Sequence, residues 1–185
     1  MTPDLVRQRI TFARKRMLQL FALNGGDLAG ASIDDRQQLL IEFFTHLVGA
    51  IDMLAQTVNQ KRALRIDVED VHVTKVSELL PAGDPIKAKL VAMYKNTRKD
   101  TFPLDPYSDE GYIYRIYNYR HQVAHRAINP FLFSIGPDFE KNRSANIYLD
   151  PRDSRRGSSS NTIQKEMETM LQIIEQGCED ILSLI

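Results

Sequence analysis

The stretch "LIEFFTHLVGAIDMLAQTVNQKRA", Leu40 to Ala63, decides the fold. Leu40, Phe44, Leu47, Val48, Ile51, Leu54, Ala55 and Val58 recur at steps of three and four residues and make a stripe about 100° wide, the pattern of a helix that buries one face. Upstream, Ser32 with Asp35 three residues on forms a capping-box-like start, with a shorter acid than the usual Glu or Gln. The pattern predicts one long helix running to about Ala63. A helix of that length with a single apolar stripe needs other helices to cover it, which points to a bundle.

The flanking segments agree. Leu5, Val6, Ile10, Ala13, Met17, Leu18 and Phe21 predict a first amphipathic helix over Leu5–Leu23, stopped by "NGG" at Asn24 to Gly26. "VHVTKVSELL" reads as a short helix or strand, Pro81 and Gly83 punctuate it, and Asp84 with Pro85 forms an N-cap and first-turn pair for "IKAKLVAMYKNT". The loop "RKDTFPLDPYSDEG" ends in Ser108, Asp109 and Glu110, a cap and acidic first turn for a helix over Tyr112–Ile128 that Asn129 and Pro130 close. "FLFSI" and "ANIYL", either side of "GPDFEKNRS", read as a small antiparallel hairpin, followed by the polar loop "DPRDSRRGSSSN". Ile163, Met167, Met170, Leu171, Ile174, Cys178, Ile181 and Leu182 stripe a final helix over Thr162–Ile185. The expected fold class is therefore all-α: an antiparallel bundle of four to six helices with a small β-hairpin insertion before the C-terminal helix. One domain spanning 1–185 is expected, with the hairpin and basic loop inserted at about 131–160.

Composition narrows the function classes. Lys plus Arg number 24 and Asp plus Glu number 24, so no net field draws the whole surface toward nucleic acid or an anionic membrane, and any such attraction has to be local. The single cysteine, Cys178, rules out an internal disulfide framework and a cysteine-rich zinc site. "MTPDLVRQRITFARKRM" has no apolar h-region, and no window reaches the roughly 20 apolar residues of a membrane span, so a cytoplasmic protein without membrane partners is expected.

The unusual helix is "YIYRIYNYRHQVAHRAINP", Tyr112 to Pro130. At about 100° per residue Ile113, Ile116, Arg120, Val123 and Ala127 share a stripe, which puts Arg120 in a core or seam position. Such a guanidinium wants a carboxylate or phosphate opposite, and Asp52 across the bundle is one candidate. Tyr114, Asn118, His121 and His125 form a second stripe. Arg115, Tyr119, Gln122 and Arg126 make a third line, read as ordinary amphipathic surface. His121 and His125, one turn apart, serve a hydrogen-bonded polar seam or a catalytic function; a metal site there would need further ligands from another helix, Glu42 or Asp52, and is the third reading, while no metal or other cofactor is expected. His46 and His72 are set aside as satisfied or exposed groups.

"RHQVAH", Arg120 to His125, resembles the signature of the HEPN superfamily, an arginine followed after four to six residues by a histidine, with a polar residue commonly right after the arginine. The bundle, its long second helix and the late motif are similar to the HEPN arrangement too, over the whole chain except the hairpin and basic loop. The resemblance implies a metal-independent endoribonuclease that acts as a homodimer, of the kind found in toxin–antitoxin or defence systems. It assigns Arg120 to the scissile phosphate, His121 to orienting it and His125 to general base or acid. Arg120 and His125 lie about 140° apart on an ideal helix, and a twofold dimer through the Tyr112–Ile128 helix relieves that separation. Tyr112, Tyr114, Tyr117 and Tyr119 would then line or flank the seam or stack bases, with Asn118, Tyr114, Tyr117 and Arg126 as binding residues. The alternative is a non-catalytic HEPN-like module for nucleotide, RNA or protein. One toxin subgroup has a tyrosine two residues after the motif histidine as a nucleotidylation target of its antitoxin; Ala127 stands there in this chain. Local basic candidates for RNA are Arg152 to Arg156 and Asn59 to Arg65.

Overall fold

The computed structural model describes residues 3–25, 33–94, 105–125, 131–132, 146–147, 149, 152–153, 157, 159 and 161–185. Among these residues the helices are α1 (Pro3–Gly25), α2 (Ile33–Lys61), α3 (Val73–Leu79), α4 (Pro85–Ala92), α5 (Asp109–His125) and α6 (Ile163–Leu182), with a 3-10 turn at Val68–Asp70. The described fold is all-α, as the hydrophobic spacing predicts. "VHVTKVSELL" resolves to helix: His72 caps α3, its Nδ1 accepting from the Lys75 amide at 3.2 Å. Asp84 caps α4 by accepting from the Ile86 amide at 2.9 Å, and Thr162 caps α6 by accepting from the Lys165 amide at 3.2 Å.

At the expected hairpin the described residues form only a two-rung ladder, β1 (Phe131–Leu132) antiparallel to β2 (Asn146–Ile147), with Phe131 opposite Ile147 and Leu132 opposite Asn146. That is too short to establish a hairpin insertion, and the remainder of the segment lies outside the described residues. So do Ser32 of the expected cap and Ser154, Arg155 and Arg156 of the basic loop.

The predicted stripe of α2 is the spine of the core. Leu40, Phe44, Leu47, Ile51, Leu54, Ala55 and Val58 are all buried, against α1, α5 and α6. Each such large side chain contributes about 1.5–3 kcal/mol when taken fully from water. Phe43 and Phe44 meet edge to face at 5.1 Å between centroids, and Phe44 leans on Tyr119 at 5.3 Å. Asp35–Lys61 of α2 is long and apolar enough, by length and composition, to cross a membrane; in this fold its apolar stripe is the one the other helices cover.

α6 brings Met167, Met170, Ile174, Cys178 and Ile181 to the same core. Burial there pushes the Cys178 thiol up to about 12. On the outer side α6 is tied to α1 by Arg7–Glu179 at 2.7 Å and Arg14–Glu175 at 2.6 Å. Beyond α2 the chain turns through left-handed backbone at Ala63 (φ 50°) and Arg65 (φ 60°). Buried Asn59 holds that turn, its Oδ1 accepting from the Ile66 amide at 3.2 Å and its Nδ2 donating to the Ile66 carbonyl at 2.9 Å.

Candidate functional site

α5 enters the bundle through a tight approach. Ser108 Oγ accepts from the Gly111 amide at 3.1 Å, and a Cβ on Gly111 would stand 2.7 Å from the Pro106 carbonyl and closer still to that of Asp105. Only glycine lets the "DPYS" turn fold back so closely. From Gly111 to Ile116 every residue is buried, because α5 runs between α2 and α6 with no water-facing side along this half.

The expected surface line is consequently interior: Arg115 and Tyr119 are fully buried and Gln122 is nearly so. Arg115 Nη1 donates to Glu166 Oε2 at 2.7 Å, and Glu166 Oε1 accepts from Ser159 Oγ at 2.5 Å and Asn161 Nδ2 at 2.9 Å. The carboxylate is thus fully supplied with donors, as a buried charge requires. Among the described residues Arg115 Nε and Nη2 find no acceptor; the guanidinium lies against the faces of Tyr112 at 4.3 Å and Tyr107 at 5.7 Å. This cluster fastens α5 to the start of α6.

The motif end of α5 is different. Tyr117, Asn118 and Arg120 are half-buried and His121 is exposed. Asn118 Nδ2 donates back to the Tyr114 carbonyl at 2.8 Å, so its amide is engaged on its own helix. Tyr114, expected to line a seam or stack a base, is wholly buried with Arg152 over its ring at 5.0 Å. Tyr112 and Tyr119 likewise belong to the core rather than to an exposed seam. Tyr117 sits edge-on to Tyr94 at 5.6 Å, and its hydroxyl is buried without a hydrogen-bond partner among the described residues. That burial raises the phenol well above its usual value, with the Asp52 charge adding to the effect.

His125 is the last residue of α5; its side chain, and Arg126 altogether, lie outside the described residues. The structure thus places Asn118, Arg120 and His121 within one turn near the end of α5.

The stripe suggests Asp52 of α2 as a partner for Arg120. The two interact electrostatically, without a contact ion pair among the described residues. Asp52 keeps access to water at its residue surface, yet crowding by protein around its carboxyl raises its pKa, and Arg120, Arg9 and His72 each pull the other way. Loss of hydration outweighs these opposing influences. His46, one and a half turns before Asp52, is held below its ordinary value by burial first, then by the charges of Arg9 and Arg16, with Glu42 opposing. Sequence spacing could not find that Arg9 and His46 meet, at 3.3 Å between Nη1 and Nδ1: nothing local marks an arginine and a histidine on separate helices as neighbours. No group of three or more His, Cys, Asp or Glu that could hold a metal occurs among the described residues.

No family model matches the chain, and no curated protein or solved structure matches it significantly.

Proposed function

We propose that this protein is a HEPN-type, metal-independent endoribonuclease that works as a homodimer in the cytoplasm, in a toxin or defence setting. One observation carries the reading. α5 buries Arg115 completely but leaves Arg120 half-exposed beside exposed His121, so the motif arginine keeps a charge that a ligand can reach. The R-x4-H spacing of Arg120 and His125 supplies the rest.

The chemistry suited to these groups is transesterification. A ribose 2′-oxygen attacks phosphorus, giving up its proton to His125; the new P–O2′ bond forms as the P–O5′ bond breaks, and the departing 5′-oxygen takes a proton from the second acid of the cleft. Arg120 answers the charge that develops on the equatorial oxygens. Two copies of the α5 end across a twofold axis supply the base and acid that one helix cannot aim at one atom. The products are a 2′,3′-cyclic phosphate and a 5′-hydroxyl.

The test is cleavage of single-stranded and structured RNA in EDTA by wild type, Arg120→Ala and His125→Ala, each checked for fold and oligomeric state. Cyclic-phosphate ends from wild type, lost in both folded variants, support the reading; no cleavage over a wide range of protein concentration removes it. A second reading, a non-catalytic HEPN-like module for nucleotide, RNA or protein, draws on Asp52, whose carboxylate is within electrostatic range of Arg120 and would give it a structural role. Under that reading Arg120→Ala disturbs dimerisation or ligand affinity and no turnover is seen in any variant.

A further inference from the structure

α1 carries four arginines, and three of them are ion-paired: Arg7 with Glu179, Arg14 with Glu175 and Arg16 with Glu42. Arg9 is the exception. Among the described residues it touches no carboxylate; Asp52 acts on it only at longer range. What holds it is a neutral group and a gap. Its Nη1 lies 3.3 Å from His46 Nδ1, and since an arginine only donates, that nitrogen is the acceptor and Nε2 carries the imidazole proton. Its Nε, Cδ and Cζ stand 3.6, 3.7 and 3.9 Å from where a Cβ would project at Gly49, so the guanidinium lies over the one α2 position that has no side chain. A methyl there would just make contact, and anything longer would displace the arginine.

Next to this cation is an aromatic surface. Phe12, one turn along α1, is 40% exposed, an unusual amount for a phenyl ring. Its centroid is 5.4 Å from that of the His46 ring, at an interplanar angle of 43°. A half-buried cation without a contact anion, beside an exposed phenyl and a neutral imidazole, is the combination that takes one nucleotide of a single strand: phosphate on the guanidinium, base on the ring. Arg120 on α5 is a further cation in range, since Asp52 of α2 is acted on by both Arg9 and Arg120. The neutral total charge of the chain makes such a local arrangement the way to hold RNA.

We infer that Arg9, Phe12 and His46 form a second nucleotide subsite, on α1 and α2, which holds the single-stranded flank of an RNA whose neighbouring phosphate lies at Arg120. The ligand class rests on the ribonuclease reading above; the subsite itself is tested by binding alone. The probe is a fluorescein-labelled, single-stranded 2′-O-methyl oligoribonucleotide, which cannot undergo 2′-oxygen attack, titrated by anisotropy over a salt series against the full chain. Arg9→Gln is expected to weaken binding for all sequences alike and to reduce the salt slope by about 0.7, while Arg9→Lys keeps the slope. Phe12→Leu, which keeps an apolar side chain in place, is expected to weaken binding about tenfold. Unchanged melting temperatures show that the variants fold.

If wild type fails to bind at low salt, or binds and is indifferent to both Arg9→Gln and Phe12→Leu, the subsite is overturned. Cleavage of unmodified RNA by wild type, with binding untouched by these variants, overturns the subsite and leaves the nuclease reading standing. Binding weakened by both, with no cleavage in EDTA, supports the subsite and overturns the nuclease.

Discussion

Arg115 and Arg120 stand on the same helix, little more than a turn apart, and their surroundings are opposite. Arg115 is sealed inside, with a carboxylate in contact and two tyrosine rings around it. Arg120 sits at the surface of the bundle, with Asp52 in range but not in contact. Glu166 can be buried because Ser159 and Asn161 satisfy its other oxygen, and it can therefore hold Arg115; Asp52 has no such helpers among the described residues and stays beside water. The pairing that looks stronger serves architecture, and the looser one leaves a charge available.

The largest expected effect tests the buried side. Glu166→Ala should cost about 3–5 kcal/mol, because it strands a guanidinium in the core, while Arg120→Ala should cost less than about 1 kcal/mol. Urea unfolding of the two variants measures both, and equal costs would abolish the distinction. Arg115→Met combined with Glu166→Leu should recover most of the Glu166→Ala loss, since no charge is then left unpaired. Gly111→Ala comes next, at about 1–3 kcal/mol, because the new methyl meets the Asp105 and Pro106 carbonyls where α5 enters the core. Gly83→Ala, with open space around it, is the matched control and should be nearly neutral.

Smaller effects sharpen the surface side. Arg120→Met should raise the Asp52 pKa further, since the first of the opposing positive charges is gone; carbon-13 titration of the carboxyl reads this, and no change would place the two groups out of range. For His46 the sign runs the other way. Its folded pKa lies below the ordinary 6.5, so the unfolded chain binds the proton first. The stability it contributes is whole above about 6.5 and drains away as pH falls toward the folded value. His46→Gln should flatten that part of the stability profile, read as thermal midpoints across the acid range.

The helices that were legible in the sequence are those with one wet side. α2 and α6 show their stripes because water and core impose opposite demands on alternate faces. α5 was legible as a helix but not in its orientation: along Gly111–Ile116 both faces are buried, so periodicity had nothing to report and Arg115 read as surface. One signal was present and missed. Glu166 falls on the apolar stripe of α6, between Ile163 and Met170, and a carboxylate there announces a buried cation somewhere opposite. The Arg120–His121 spacing could be read from the sequence because it is local, and the structure leaves Arg120 half-buried and His121 exposed; Asp52, suggested by the seam position of Arg120, acts on it only as a charge at longer range, with no contact pair among the described residues. Arg9 and His46 were not legible, because their proximity exists only once α1 lies along α2.

Cys178 gives this bundle a clock of its own. It is the single thiol in the chain, sits on the covered side of α6 and is held at about 12, so almost none of it is thiolate at neutral pH. A thiol reagent gains purchase only in the moments when α6 lifts away from the core. The rate of alkylation therefore counts those openings directly, with no label added and no residue changed. It would rank every variant above by how often the folded chain lets go.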